Sequence, residues 1–108
     1  MTNSTAGTAF YVRHKALPGK RDELRKVWEK YARSYIEAAD VQLAYFYCYD
    51  DKDPDTIVAF QLCTDPSGLE DFTKQPWFHD YEAETAALVA SPSEYRSATP
   101  IWTKRGTD

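Results

Sequence analysis

Two stretches of the chain carry apolar residues at nearly every position, and one polar turn separates them. Residues 41–49 read Val-Gln-Leu-Ala-Tyr-Phe-Tyr-Cys-Tyr, and residues 56–63 read Thr-Ile-Val-Ala-Phe-Gln-Leu-Cys. Between them lie Asp50, Asp51, Lys52, Asp53, Pro54 and Asp55. β-Branched and aromatic runs on either side of turn residues predict a β-hairpin. Asp53-Pro54 has turn chemistry, because Pro presets φ and Asp hydrogen-bonds nearby backbone. Apolar residues on both faces of these strands predict that both faces are covered.

A different period governs residues 20–39. Leu24, Val27, Trp28, Tyr31, Tyr35 and Ile36 form one stripe of a 3.6-residue helix, with Arg, Lys, Asp and Glu between them. Before it, residues 9–15 read as a first strand, followed by the loop Leu17-Pro18-Gly19-Lys20. After the hairpin, Asp65 is placed to cap a short helix, with Pro66 at its first position. That helix runs to about residue 74 and turns Leu69 and Phe72 to the core. Gln75-Pro76 interrupts it. A second helix over residues 77–90 presents Phe78, Tyr81, Thr85, Leu88 and Val89 on one side, and Ser91-Pro92 ends it. The last strand spans residues 95–104 with Pro100 inside, which suits an edge strand.

The order is β-α-β-β-α-α-β, a ferredoxin-like α+β fold with a four-stranded antiparallel sheet. Residues 9–104 form the domain and residues 1–8 a polar tail. Helices cover one sheet face only. A second copy of the chain covers the other in this reading, giving a homodimer built as a dimeric α+β barrel.

Composition narrows the function classes. The chain has 108 residues, which fits one domain. Its net charge of −4 gives no electrostatic footprint for nucleic acid. No apolar run approaches the roughly 18 residues of a membrane span, and no signal peptide is legible at the start. Cys48 and Cys63 fall about five residues out of hairpin register, roughly 17 Å apart at strand rise, too far to bridge. Two unpaired thiols fit a reducing cytoplasm.

Leu17-Pro18-Gly19-Lys20-Arg21-Asp22-Glu23-Leu24, the charged helix, the hairpin with Ile57-Val58, the strand ending at Asp65, then Leu69 and Pro76 together resemble the antibiotic biosynthesis monooxygenase (ABM) domain family. The resemblance spans about residues 10–102. It implies a dimeric α+β barrel and cofactor-independent oxygenation of quinols or aromatic polyketides, with the pocket between helices and sheet. The chain also departs from the family. Quinol-oxidising members often carry Trp at the end of the third strand and His on the next helix, where Cys63 and Phe72 stand here. A His that commonly follows the helix-breaking Pro is replaced by Trp77. The haem-degrading branch needs Asn, Trp and His, where this chain has Val12, Phe72 and Glu82, so haem chemistry is rejected and no cofactor is expected.

Cofactor-free oxygenation requires a base, a donor to a developing oxyanion and a dry cavity. His14, near the end of the first strand, and His79, in the first turn of the last helix, are the two candidate bases; either also reads as a surface histidine. Tyr45, Tyr47 and Tyr49 alternate along one strand and share a face. They line a pocket, with Tyr45 a candidate oxyanion donor, or pack into the dimer barrel. Gln61 is an amide within an apolar strand and bonds either substrate or a neighbouring strand. Trp28, Phe72, Trp77 and Tyr81 are candidates to stack on a flat ligand or to pack the core. The acidic turn lacks EF-hand spacing, there is no Cys/His cluster for zinc, and no metal is expected. The leading reading is a monooxygenase for a small aromatic or polyketide-like substrate. A non-oxidative cyclase, isomerase or lyase on the same scaffold, and a non-catalytic ligand-binding dimer, are the alternatives.

Overall fold

A computed structural model describes residues 7–104 of the chain. Of the expected tail, only Gly7 and Thr8 fall among the described residues, and Thr8 already belongs to the first strand. The elements are β1 (Thr8–Lys15), α1 (Arg21–Tyr31), α2 (Arg33–Ala38), β2 (Gln42–Tyr49), β3 (Thr56–Cys63), α3 (Ser67–Thr73), α4 (Phe78–Ala86) and β4 (Glu94–Ala98). The strands form one four-stranded sheet in the order β2-β3-β1-β4, and every neighbouring pair is antiparallel. This is the ferredoxin-like α+β arrangement expected from the residue pattern.

The hairpin register follows from its turn. Cys48 pairs with Val58 as expected, while an irregularity between Gln42 and Ala44 sets Cys63 opposite Gln42 instead of Leu43. Both cysteines are free thiols. In the turn, Asp50 Oδ2 accepts from the Lys52 and Asp53 N–H groups, and Asp53 Oδ1 accepts from Asp55. Arg21, the first residue of α1, donates through Nη1 to the carbonyls of Asp50, Asp53 and Thr56 at 3.1, 3.0 and 3.2 Å. Its guanidinium also lies 3.8 Å from the centre of the Tyr49 ring. One cation therefore fixes the start of α1 to the hairpin. Asp50, Asp53 and Asp55 accept from backbone amides, and Asp53 Oδ2 also meets the Thr56 hydroxyl and Lys15, whose Nζ lies 2.5 Å away.

Several boundaries differ from expectation. The long helix is interrupted at Ala32, although the Ala32 N–H still reaches Trp28 O at 2.8 Å and the Ile36 N–H reaches Ala32 O at 2.9 Å. α4 stops at Ala86 and not at 90, because the chain leaves it to extend the sheet. Val89 bridges Ala16, the Leu17 N–H donates to Leu88 O at 2.8 Å, and the Ala90 N–H donates to Lys15 O at 2.7 Å. β4 ends at Ala98, so Pro100 lies beyond the strand. α3 begins at Ser67, one residue later than expected, with Asp65 Oδ1 still accepting its N–H at 2.8 Å. The Leu69 side chain lies outside the described residues.

The helices cover the sheet face that carries Ile57, Ala59 and Cys63, all buried, and add Leu24, Val27 and Ile36 to the core. Among the described residues, no layer covers the opposite face. Phe46 is 61% exposed there and Phe60 44%, beside a hollow of about 410 Å³ lined by Tyr11, Ala44, Leu62 and Ala98. Among the described residues, no helix is long and apolar enough to cross a membrane.

Candidate active site

Strand alternation decides which side chains meet under the helices. Phe10, Val12 and His14 of β1 point there, with Tyr45 and Tyr47 of β2, Ala59 and Gln61 of β3, and Tyr95 of β4. α1 adds Trp28, α3 adds Phe72, and α4 adds Phe78, Tyr81 and Thr85. They enclose a cavity of about 630 Å³, a size that takes a drug-sized molecule.

One end of the cavity is aromatic. The Trp28 indole stacks on Tyr47 with centroids 4.1 Å apart and planes at 21°, and on Tyr45 at 5.8 Å and 27°. Burial pushes the Tyr45 hydroxyl up to about 12. Burial likewise raises the hydroxyls of Tyr47 and Tyr81. All three stay protonated at neutral pH and present donors, not phenolates. The nearby Trp28 N–H partly offsets the rise at Tyr45, although no hydrogen bond of normal geometry joins the two groups.

The other end holds His14, which is 6% exposed. Its Nδ1 lies 2.5 Å from Ser93 Oγ, and its ring meets Tyr95 edge-on at 6.2 Å. Burial lowers its pKa to about 4, so the imidazole is neutral at pH 7. With Nδ1 engaged by Ser93, Nε2 is the ring nitrogen left to meet a ligand. Opposite Tyr45 and Phe10 in the sheet, Gln61 Oε1 accepts from Gln42 Nε2 at 3.0 Å, which leaves its amide N–H groups to the cavity.

Seven of the expected site residues therefore line one cavity: His14, Trp28, Tyr45, Tyr47, Gln61, Phe72 and Tyr81. His79 and Trp77 do not. His79 is exposed on α4, because the inward stripe of that helix is Phe78, Tyr81 and Thr85, and the next residue after Phe78 is turned about 100° away. Trp77 packs against Phe72, Tyr35 and Tyr31, with centroids at 5.3, 5.9 and 6.3 Å, outside the cavity. Thr85, Ser93, Tyr95 and Glu82 line the cavity without having been singled out as site residues. Thr85 lay on the apolar stripe of its helix, which was a usable signal. Ser93 sits in a loop, where nothing local pointed to His14. Among the described residues, no group of three or more His, Cys, Asp or Glu side chains is placed to hold a metal.

No family model matches the sequence, and no curated protein matches it. Solved structures do. A protein from Chloroflexus aurantiacus J-10-fl, named as a candidate antibiotic biosynthesis monooxygenase, superposes with a TM-score of 0.74 at 24% identity, over 94% of this chain and 98% of that one. A similarly named Caulobacter crescentus CB15 protein gives 0.78 at 16% identity, over 91% and 93%. A mutant of SnoaB, a cofactor-independent oxygenase from Streptomyces nogalater, gives 0.76 at 19% identity, over 92% and 97%.

Proposed function

We propose that this chain, whose fold is that of the ABM domain, is a cofactor-independent monooxygenase acting on an aromatic or polyketide-like substrate. The observation that carries this reading is the buried, neutral His14 in the wall of an aromatic cavity. A flat substrate stacks against Trp28 and Phe72. Nε2 of His14 takes a proton from an acidic C–H or O–H of the substrate. Donors from Tyr45 and Tyr81 meet the oxyanion that develops. His14 is a weak base alone, so its cation forms together with the substrate anion, and the two charges hold each other in a low-dielectric site. The substrate anion then passes an electron to dioxygen, and the resulting radical and superoxide join. Loss of water leaves a carbonyl, so a CH₂ group and O₂ become C=O and H₂O.

The test is dioxygen uptake with anthrones, naphthols and quinols, beside product analysis. Uptake that disappears in His14→Ala supports the oxygenase. Conversion without uptake moves the protein to the second reading, a non-oxidative cyclase, isomerase or lyase using the same base and donors. Cys63 favours that second reading, since it stands where quinol-oxidising ABM proteins often carry Trp. Ligand binding with no turnover of any skeleton leaves a binding protein.

In the same reading, a second copy of the chain covers the bare sheet face. The exposure of Phe46 and Phe60 and the adjoining apolar hollow support it. The free thiols Cys48 and Cys63 support a cytoplasmic setting.

A further inference from the structure

Most hydroxyls around the cavity have a partner or an evident task. Ser93 holds His14. Tyr31 and Tyr35 of the helices and Tyr49 of β2 donate to Glu84, Asp71 and Asp22. Two buried polar atoms in the cavity wall have no partner among the described residues: Thr85 Oγ1 and Trp28 Nε1. Thr85 is 8% exposed and lies one helical turn beyond Tyr81 on the inner side of α4. A helical threonine has a ready acceptor in the carbonyl four residues back, and Thr85 Oγ1 does not use it. An unmet buried polar group costs its full desolvation, whereas an apolar side chain of the same shape would not.

The structure assigns Thr85 and Trp28 the role of reading an uncharged oxygen on the ligand, a carbonyl or phenol-type oxygen carried by a flat ring system. This rests on the cavity being the substrate site. The indole N–H only donates, so the ligand atom that meets it must accept. The ligand's charge is set by the rest of the wall. The charged residues along the cavity are Glu82 and Arg96, and Arg96 pairs with Tyr11 so that its guanidinium lies on the outer face, held by Glu94 at 2.6 Å. His14 is neutral. No standing cation there compensates a ligand that arrives as a carboxylate, and His14 would first have to take up a proton against its burial. The ligand is therefore neutral, and a carboxylated version of the same ring system is rejected. Solvent reaches neither donor atom, so a ligand oxygen meets them only after the Thr85 hydroxyl turns about χ1 or the indole slides across Tyr47. No hydrogen bond opposes the turn of the Thr85 hydroxyl, and the indole has only the nearby Tyr45 hydroxyl to leave.

The test uses three ring systems of one shape: anthraquinone, anthracene and anthraquinone-2-carboxylate. Binding is followed by quenching of tryptophan fluorescence, and Thr85→Val, Thr85→Ser and Trp28→Phe are compared with the wild type. The wild type is expected to favour anthraquinone over anthracene, and to bind the carboxylate at least tenfold more weakly than anthraquinone. Thr85→Val should cut the preference for anthraquinone by roughly three- to tenfold, Thr85→Ser should keep it, and Trp28→Phe should narrow it. Thr85→Ala replaces Thr85→Val if that variant does not fold. An unchanged preference in the hydroxyl-free variant overturns the inference. So does a carboxylate bound as tightly as anthraquinone, or a wild type that binds none of the rings. The readout does not depend on turnover, so loss of the oxygenase reading with this selectivity intact would be seen as such.

Discussion

His14 Nδ1 and Ser93 Oγ stand 2.5 Å apart although 79 positions separate the two residues in sequence. The β1–β4 pairing, in which Val12 faces Tyr95 and Arg13 faces Glu94, brings the loop before β4 alongside the end of β1. Ser93 thereby fixes the His14 ring and leaves Nε2 to act as the base in the proposed reaction. His14→Ala should lower kcat by about 10²- to 10⁴-fold, the usual contribution of a general base. Ser93→Ala should lower kcat about tenfold with little change in KM, because the base survives but its ring turns freely. Steady-state rates of product formation for both variants check this.

The same histidine makes stability depend on pH in a definite direction. Its folded pKa of about 4 lies below the ordinary 6.5, so the unfolded chain binds its proton first. The stabilisation is complete above about pH 6.5 and is lost as pH falls toward 4, amounting to about 3 kcal/mol. Denaturant melts of wild type and His14→Gln from pH 7 to pH 4 should show the wild type losing more, by about that amount.

Arg21→Gln should unfold the protein more readily. It removes three bonds to carbonyls and the contact over Tyr49. The expected loss is about 1–3 kcal/mol, or roughly 4–8 °C in Tm for each kcal/mol. Thermal melting by circular dichroism measures it.

Gly68→Ala places a Cβ 2.9 Å from Cys63 Sγ and 3.2 Å from Val41 Cγ2. Alanine is the better helix former by about 1 kcal/mol, yet overpacking should win and destabilise the protein by about 1–3 kcal/mol. Cys63→Ala in the same chain should recover part of the loss. A double-mutant cycle from denaturant melts should give a coupling of at least about 0.5 kcal/mol.

Phe46→Asp tests the covering of the bare sheet face. Phe46 is 61% exposed and lies on the side away from the cavity. Sedimentation velocity should find a dimer for the wild type and a species shifted to monomer for the variant, with the circular dichroism spectrum unchanged. A monomeric wild type would remove the second copy from the account.

The hairpin was legible because its strands and its turn carry independent signals that agree, and Cys48 opposite Val58 followed by counting out from the turn. The end of α4 was not legible. Ala87, Leu88, Val89 and Ala90 suit a helix locally, and what draws them out is pairing with Lys15, Ala16 and Leu17 far earlier in the chain. The site was legible to the extent that periodicity reports direction. Alternation put the tyrosines of β2 on one face, and the stripe of α4 already excluded position 79. His79 was a candidate by residue type, against its position on the helix. Ser93 carried no signal, because a loop serine acquires its role only when strand pairing delivers His14 to it.

The four strands present two surfaces made from alternate residues of the same segments. On β1, Phe10, Val12 and His14 face the cavity, while Tyr11 packs against Phe60 on the far side, with ring centroids 5.3 Å apart. Selection can therefore act on the two surfaces separately. Point substitutions at one parity of positions remodel what is bound and leave the outer surface as it was, and those at the other parity do the reverse. A single-residue deletion within a strand exchanges both surfaces at once. Divergence of such a chain is expected to proceed by substitution within the strands, with insertions and deletions confined to the loops and tails.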